Sequence, residues 1–411
     1  MLFRSREVKP WPNVYLPPAS FKFPELSIDS TWGRRIDRDK FNIYVCGITP
    51  YDATHLGHAR TYLTFDLINR YQVLRGRSLN FIENVTDVDD PLFERARRDG
   101  IFWKDLSDSQ VRLFESDMTS LRVLPPKTYL SVSETVNLVI DGIKKLDDKK
   151  MIYKLDQDLY FDIGSHLKSL PISMDDAIQI FQERGGDPNR PGKRNSLDPV
   201  LWRESKSDEP SWESPFGLGR PGWHIECSVI AIFGATVTGK SEPLLDIQGG
   251  GTDLIFPHHF MTKVIAEEIS NLTFAAEYVH TGMLGYEGEK MSKSKGNLVF
   301  VNEILKSDVD PMVLRYALIK LHYSEDSMWD NALLDSAALE ITKIRSALSR
   351  TEVASTSNII QNMVIALSKN LDVDLALRHL LNWSEETLQG KSGGNVGTIS
   401  RFIDSALGLA L

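Results

Sequence analysis

The sequence predicts an α/β fold: a parallel sheet whose two halves are separated by an inserted segment, followed by a helical bundle. A strand, a helix and a second strand follow one another between Phe41 and Val88. The same alternation returns after residue 197, and from Pro311 onward the chain shows successive amphipathic helical patterns. Because strands joined by a helix are normally parallel, the two alternating segments indicate one parallel sheet.

The first half of the sheet domain is assigned to residues 41–101, after an irregular N-terminal extension at residues 1–40. "FNIYVC" is apolar and β-branched, which favours a strand. After the loop "GITPYDAT", apolar residues recur at helical spacing until Gly76, the expected end of the helix. These apolar residues are Leu63, Phe65, Ile68, Tyr71 and Leu74. "SLNFIENVTDV" predicts the next strand.

Residues 102–196 are predicted to form an inserted connective subdomain, because their pattern differs from the segments on either side. Helical stretches and a hairpin-like "MIYKLDQDLYFDI" precede the Gly- and Pro-rich loop "GGDPNRPGKRNS". Residues 197–298 form the predicted second half of the sheet domain. They contain the helices "PGWHIECSVIAIFG" and "PHHFMTKVIAEEIS" and the strands "PLLDIQGGG" and "EYVHTGML". Residues 299–411 are left for the C-terminal helical bundle.

Composition excludes several classes of protein. The net charge is −9, from 47 basic and 56 acidic residues, which disfavours broad, charge-driven nucleic-acid binding. No apolar run reaches membrane-spanning length, and the N-terminus lacks the apolar core of a signal peptide. We therefore expect a cytoplasmic protein with no membrane partner. Its two cysteines, Cys46 and Cys227, are too few for a disulfide framework.

"GATVTGKS", residues 234–241, matches the pattern of a phosphate-binding P-loop letter for letter. A working P-loop leads directly into a helix whose N-terminus faces the phosphates. Here Glu242 and Pro243 follow, and then a segment with the pattern of a strand. The match is therefore interpreted as accidental.

Two other short stretches are suited to work together on a polyphosphate. "HLGH", His55 to His58, lies where the first loop enters its helix, so that its imidazoles stand at the positive end of the helix dipole. "KMSKS", Lys290 to Ser294, follows a later strand, and its lysines can neutralise a leaving pyrophosphate. Either stretch alone is weak evidence, since a histidine pair at a helix start is often only a cap.

Together the two stretches resemble the signatures of the class I aminoacyl-tRNA synthetases, whose catalytic domain is Rossmann-like. "YVCGITPYDATHLGHARTYLTFDLINRY", "NVTDVDD", "RPGWHIECS" and "GGGTDLIFPHH" resemble the cysteine-activating branch more narrowly. The resemblance implies that cysteine and Mg-ATP form an aminoacyl-adenylate and pyrophosphate. It also implies that His55, His58, Lys290 and Lys293 are the catalytic residues.

The same resemblance implies two sets of binding residues. For ATP and the adenylate, the residues are Gly249, Gly250, Gly251, Asp253, Gly282, Met283, Ser292 and Ser294. For the substrate cysteine, they are Gly47, Thr49, Thr86 and Trp223, although plain core packing is an alternative reading for Trp223. The carboxylates of "NVTDVDD" are expected to cap the following helix rather than to take part in the reaction.

The resemblance further implies one zinc ion per chain, held by Cys46, Cys227 and His258. Three protein ligands with one open position are typical of a catalytic zinc site, and Zn²⁺ prefers a thiolate to a hydroxyl. Cysteinyl-tRNA synthetases often carry "HHENE", whose second Glu can be a fourth ligand, where this chain has "HHFMT". We therefore predict that Thr262 is not a ligand, and that His259 points away from the metal.

The acceptor of the activated cysteine is predicted from two sequence motifs and from the segment that follows "KMSKS". "ERGGDPNRPGK" and "NVTDVDDPLFERA" resemble the cysteine ligases of the mycothiol pathway, which transfer cysteine to the amine of glucosaminyl-inositol. No Lys- and Arg-rich module with interleaved aromatic residues is visible after Ser294, so tRNA is not an expected partner. We expect a monomer acting on L-cysteine, ATP and glucosaminyl-inositol. A truncated cysteinyl-tRNA synthetase and a catalytically silent paralogue remain as alternatives.

Overall fold

The computed structural model describes residues 23–33, 38–235, 243–291 and 296–411. Its strands divide into three sheets. In chain order they are β1 (Trp32–Gly33), β2 (Lys40–Val45), β3 (Ser78–Val85), β4 (Thr128–Ser131), β5 (Ile152–Leu155), β6 (Asp158–Phe161), β7 (Val200–Arg203), β8 (Arg220–Pro221), β9 (Leu245–Gly251), β10 (Ala275–Thr281), β11 (Leu284–Tyr286), β12 (Glu289–Lys290) and β13 (Ser327–Trp329).

The helices cover both faces of the largest sheet and form the C-terminal part of the chain. They are α1 (Leu56–Leu74), α2 (Asp90–Asp99), α3 (Trp103–Ser120), α4 (Val132–Asp148), α5 (Met174–Glu183), α6 (Trp223–Gly234), α7 (Phe260–Ser270), α8 (Val301–Lys306), α9 (Pro311–Lys320), α10 (Ala332–Leu348), α11 (Ser357–Ser368), α12 (Val373–Leu388) and α13 (Val396–Leu407). None of the helices in the described ranges is both long enough and apolar enough to cross a bilayer.

The main sheet has six strands in the order β1-β10-β9-β2-β3-β4, and all pairs except β1–β10 are parallel. Successive side chains of β2 alternate between its two faces. Ile43 and Val45 join the core that contains α1, while Tyr44 joins a second core with residues of α6 and α7. The sheet is thus buried on both sides, as expected for a parallel sheet, and the predicted fold class is confirmed.

The boundaries of the insertion differ from the predicted residues 102–196. Thr128–Ser131 (β4) pairs with β3 in the main sheet, so the chain up to this strand belongs to the larger unit. A separate four-stranded antiparallel sheet, β5-β6-β7-β8, begins at Ile152 and ends at Pro221, beyond the predicted limit. The short strands "TYLS" and "RP" are too brief to show an alternating pattern.

The C-terminal helices predicted from Pro311 onward are present, but a strand interrupts them. Ser327–Trp329 (β13) pairs in parallel with β11 in a three-stranded sheet, β12-β11-β13. The look-alike P-loop has α6 before it and β9 after it, with no helix following from Pro243. Residues 236–242 lie outside the described residues.

A buried ion cluster joins the helix that follows "HLGH" to the C-terminal bundle. Asp66 of α1 pairs with Arg70, one turn along the same helix, and with Arg315 of α9. The three side chains are inaccessible to solvent. Arg70 also donates to the carbonyl oxygens of Asp404 and Ser405 in α13, so that one cluster connects three helices.

Candidate active site

A cavity of about 230 Å³ lies at the carboxyl ends of β2, β9 and β10. This is the edge at which parallel sheets usually bind their ligands, because the loops that follow neighbouring strands meet there. Fourteen predicted site residues line it: Cys46, Gly47, Thr49, His55, His58, Thr86, Trp223, Cys227, Gly250, Gly251, Asp253, His258, Gly282 and Met283. One cavity therefore brings together residues that are far apart in the sequence.

The remaining predicted residues have other positions. In the described part of the chain, Gly249 lies deeper in β9 and does not line the cavity, and a Cβ atom there would lie 2.3 Å from the ring of Phe65. Lys290 ends β12, and its side chain is not among the described parts of the structure. Ser292, Lys293 and Ser294 lie outside the described residues. The neighbouring Met291 does line the cavity.

The two histidines of "HLGH" stand together at the start of α1. His55 is the N-cap residue, and its Nδ1 accepts a hydrogen bond from the backbone N–H of His58 at 3.3 Å. The two imidazole rings are stacked, with centroids 3.8 Å apart. Both rings thus border the cavity at the N-terminus of a 19-residue helix, where the aligned peptide dipoles favour negative charge.

Glycines allow two backbone segments to approach each other at the cavity wall. A Cβ atom on Gly47 would lie 1.6 Å from the carbonyl oxygen of Asn84, and one on Gly282 would lie 2.3 Å from the carbonyl oxygen of Glu325. Arg60 of α1 is buried behind Gly282, where Nη1 donates to the carbonyl oxygens of Gly282 and Met283 at 3.3 Å each. The predicted adenosine-binding backbone is therefore held rigidly from its far side.

Cys46, Cys227 and His258 form a compact cluster at the base of the cavity. Cys46 directly follows β2, Cys227 lies in α6, and His258 lies in a π-helical turn, Ile255–His259, that leads into α7. The two sulfur atoms and one imidazole nitrogen lie within 4.8 Å of one another, and all three residues are buried. Two thiols and one imidazole are the donor set of a zinc site with three protein ligands.

The surroundings of His258 leave one ring nitrogen available to a metal ion. Nδ1 lies 3.0 Å from Nδ1 of His224, and the indole of Trp223 stacks on the ring at a centroid distance of 4.1 Å. Nε2 is buried and has no hydrogen-bond partner in the described part of the chain. Burial, with a smaller effect of His224, holds the pKa of His258 well below its usual range. The ring is therefore neutral, the form that binds metals.

The thiols of Cys46 and Cys227 also fit a metal site. Burial, and then the neighbouring Cys46, raise the pKa of Cys227 well above that of a free thiol. The Cys227 thiol would thus stay protonated by itself, whereas a cation beside it favours the thiolate. The hydroxyl of Thr262 donates to the carbonyl oxygen of His224 at 3.5 Å.

The predicted orientation of His259 is wrong. Its Nε2 lies 3.2 Å from the sulfur of Cys46, and its Nδ1 lies 2.7 Å from Nε2 of His280, whose other nitrogen contacts the hydroxyl of Thr31. The prediction assumed a regular helix starting at Pro257. Because Phe256 is extended and a π turn follows, His259 is not rotated away from the cysteine as it would be in an α-helix.

The predicted capping role of "NVTDVDD" holds for Asp89, whose carboxylate accepts from the backbone N–H of Asp90 at the start of α2. Asp87 instead accepts from the backbone N–H of Ser133 at the start of α4. Asp90 pairs with Arg203 and Arg220. No sequence motif indicated the partners Arg203 and Arg220, which come from β7 and β8 of the small sheet.

Sequence reasoning missed several cavity residues. Tyr51 lies in the loop after β2, and Thr281 ends β10, so the position of each just beyond a parallel strand could have indicated them. Tyr62, in the second turn of α1, also lines the cavity. His224 was also missed, although it lies one helical turn before Cys227.

Known proteins resemble this chain over most of its length. A family profile described as the tRNA synthetases class I (C) catalytic domain matches residues 33–339. A protein of Nocardia farcinica named L-cysteine:1D-myo-inositol 2-amino-2-deoxy-alpha-D-glucopyranoside ligase is 43% identical over 415 residues, covering 98% of this chain and 99% of the relative. The protein of the same name from Mycolicibacterium smegmatis is 45% identical over 379 residues and covers 90% of both chains.

Two solved structures share the fold at low sequence identity. Methionyl-tRNA synthetase of Mycobacterium tuberculosis, in complex with methionyl-adenylate, superimposes with a TM-score of 0.62 at 15% identity, covering 90% of this chain and 89% of that one. The leucyl synthetase in a ternary complex from Agrobacterium radiobacter K84 gives 0.59 at 11% identity, covering 91% and 83%. The chain therefore belongs to the class I tRNA synthetase catalytic-domain family, and within it to the family of L-cysteine:1D-myo-inositol 2-amino-2-deoxy-alpha-D-glucopyranoside ligases.

Proposed function

We propose that the protein activates L-cysteine with ATP and transfers it to the amine of glucosaminyl-inositol, forming an amide of the mycothiol pathway. One observation carries the proposal. A cluster of Cys46, Cys227 and His258 lies at the base of the cavity whose rim carries the stacked histidines of "HLGH". A cysteine whose thiol reaches this cluster directs its carboxylate away from it, into the rest of the cavity.

Cys46, Cys227 and His258 would hold one zinc ion. Zinc bound there would supply a Lewis acid that prefers the thiolate of cysteine to the hydroxyl of serine. Trp223, stacked on His258, closes the side of the pocket and limits the size of the amino acid. Selection among amino acids then depends on the thiol and on the small space beside this indole.

The first step forms the adenylate. A carboxylate oxygen of cysteine attacks the α-phosphorus of Mg-ATP, and the bond to pyrophosphate breaks. His55 and His58, at the N-terminus of α1, are placed to stabilise the charge that develops on the phosphates. We propose that Lys290 and Lys293 neutralise the leaving pyrophosphate and that Ser292 and Ser294 bind the phosphates.

The adenosine would lie against Gly250, Gly251, Gly282 and Met283, with Asp253 near the ribose. In the second step the neutral amine attacks the carbonyl carbon of the adenylate. AMP leaves, and the nitrogen loses a proton as the amide forms. We further propose that the protein works as a monomer in the cytoplasm, where ATP is available and thiols stay reduced.

Amide formation is tested by measuring AMP release with Mg-ATP and cysteine in the presence of either glucosaminyl-inositol or tRNA. We expect release that depends on the sugar, with the matching amide identified by mass spectrometry. Replacing cysteine with serine should abolish turnover. Release driven by tRNA alone would sink the proposal and favour a truncated cysteinyl-tRNA synthetase.

A further inference from the structure

A second cavity, of about 650 Å³, adjoins the first. It lies between the start of α2, the end of α5 and the strands β7 and β8 of the small sheet. Five residues line both cavities: Thr49, Tyr51, Trp223, Asp253 and Leu254. The two spaces therefore adjoin along a shared wall, and the volume of the second lies within the range of roughly 300–1,000 Å³ that is usual for small-molecule sites.

The lining of the second cavity combines carboxylates with guanidinium groups. Asp90 forms an ion pair with Arg203 at 2.9 Å and another with Arg220, and Arg220 also pairs with Glu209 at 2.8 Å. The Arg220 side chain is 4% exposed, so this part of the wall is fixed in position. Near the junction, Arg184 lies 3.7 Å from Asp253. Carboxylates accept and guanidinium groups donate hydrogen bonds, so that together they can satisfy many hydroxyl groups.

The charged residues that line the second cavity limit the class of ligand that it can bind. A polyphosphate is disfavoured here, because carboxylates such as Asp89, Asp90 and Asp187 line the space. A cationic amine is favoured near the junction, because Asp89 lines the second cavity together with Tyr51 and Trp223, which line both cavities. Burial, followed by Asp90, raises the pKa of Asp89 itself to about 6, so its carboxylate is charged near neutral pH.

We propose that this second cavity is the acceptor subsite, where Asp90, Arg203 and Arg184 bind the hydroxyl groups of a polyhydroxylated amine and Asp89 draws its amine towards the junction. The inference rests on the proposed function and adds to it the place and the residues that select the acceptor. The amine then reaches the adenylate from the side of Tyr51 and Trp223, while ATP and cysteine occupy the first cavity alone.

Two half-reactions separate the two cavities experimentally. Exchange of pyrophosphate into ATP depends on cysteine and reports only on the first cavity, whereas amide formation depends on both. For Arg203→Gln and, independently, Arg184→Gln, we expect the KM for glucosaminyl-inositol to rise by about tenfold, the loss usual for a charged hydrogen bond. The kcat at saturating acceptor and the exchange rate should stay within about threefold of wild type.

A matched control is Arg194→Gln, which removes a 3.0 Å ion pair with Asp162 in the same small-sheet region but does not touch either cavity. Its acceptor KM should equal that of wild type. The inference is overturned if Arg203→Gln and Arg184→Gln both leave the acceptor KM within about twofold, or if exchange falls together with amide formation. A wild-type protein that exchanges pyrophosphate but never uses the sugar would instead overturn the proposed function, and this inference with it.

Discussion

Two buried polar clusters of the molecule differ in whether their polar groups have partners within the protein. In the cluster of Asp66, Arg70 and Arg315, each charge meets an opposite charge, and the guanidinium groups also donate to backbone carbonyl oxygens. In the cluster of Cys46, Cys227 and His258, burial raises the pKa of the Cys227 thiol, and Nε2 of His258 has no hydrogen-bond partner in the described residues.

The difference separates a structural cluster from a binding site. Burial by itself would raise the pKa of Asp66, but Arg70 and then Arg315 outweigh it and lower that pKa. The protein thus completes the ion cluster by itself, while the thiol–imidazole cluster is completed only by something that binds. A buried polar group left without a partner is costly, so its presence indicates a function.

The largest expected effect comes from breaking the completed cluster. Asp66→Asn leaves two buried guanidinium groups without their counter-charge, and we expect the free energy of unfolding to fall by about 3–5 kcal/mol. Urea denaturation measures this change. Glu386→Gln, which removes an exposed pair with Lys391 in the bundle, is the control and should change stability by less than about 1 kcal/mol. Equal effects of the two variants would contradict the comparison.

The same cluster predicts a pH dependence. Because the folded-state pKa of Asp66 is lowered, its contribution to stability is fully present above the unfolded pKa of about 3.9 and is lost as the pH falls through the lower, folded value. The stability difference between wild type and Asp66→Asn should therefore be constant from about pH 7 to pH 5 and shrink below about pH 4. Urea midpoints for both proteins across this range test the sign. A difference that grows towards acid pH would contradict the assignment.

Substitutions in the cluster of Cys46, Cys227 and His258 should affect metal binding and activity rather than stability. Cys227→Ala removes one of three donors, so we expect loss of bound zinc and a fall of more than about a hundredfold in cysteine-dependent pyrophosphate exchange. Metal analysis and the exchange assay measure the two effects, and circular dichroism checks the fold. Wild-type protein treated with a chelator should show the same loss and recover with added zinc. Full exchange in a metal-free sample would remove zinc from the proposed mechanism.

A smaller effect is expected at the outer partner of the imidazole. His224→Ala removes the nitrogen that lies 3.0 Å from Nδ1 of His258, and losses of such partners usually weaken metal binding by about 10–100-fold. Competition with a chromogenic chelator measures the zinc affinity. An unchanged affinity would show that Trp223 alone orients the ring.

The smallest effect is expected at Thr262. Thr262→Ala removes a hydroxyl that donates to the carbonyl oxygen of His224, so zinc content should stay at one per chain. Metal analysis of the purified variant, beside His258→Ala as the positive control for loss, decides the point. Zinc loss in Thr262→Ala would make the hydroxyl a ligand after all.

The sequence predicted the sheet, the helical bundle and fourteen residues of the first cavity, because those residues lie in contiguous motifs, most of them at strand ends. It could not give the distance between Cys46 and Cys227, since only the fold brings an end of β2 beside α6. It failed at His259, where a π turn replaces the assumed helix. It did not indicate the second cavity, although residues of "NVTDVDDPLFERA" and "ERGGDPNRPGK" line it, because these stretches come together only in the folded chain.

A mutation of Arg60 can alter the first cavity, although Arg60 itself is buried behind the cavity wall. Its guanidinium reaches four carbonyl oxygens, those of Gly282, Met283, His322 and Glu325, from behind the wall of the first cavity. A survey of side chains that touch the nucleotide would pass over it. Resistance to an inhibitor that mimics the adenylate can therefore arise at a residue that the inhibitor never meets, through a shift of the Gly282–Met283 backbone that we propose to bind the adenosine.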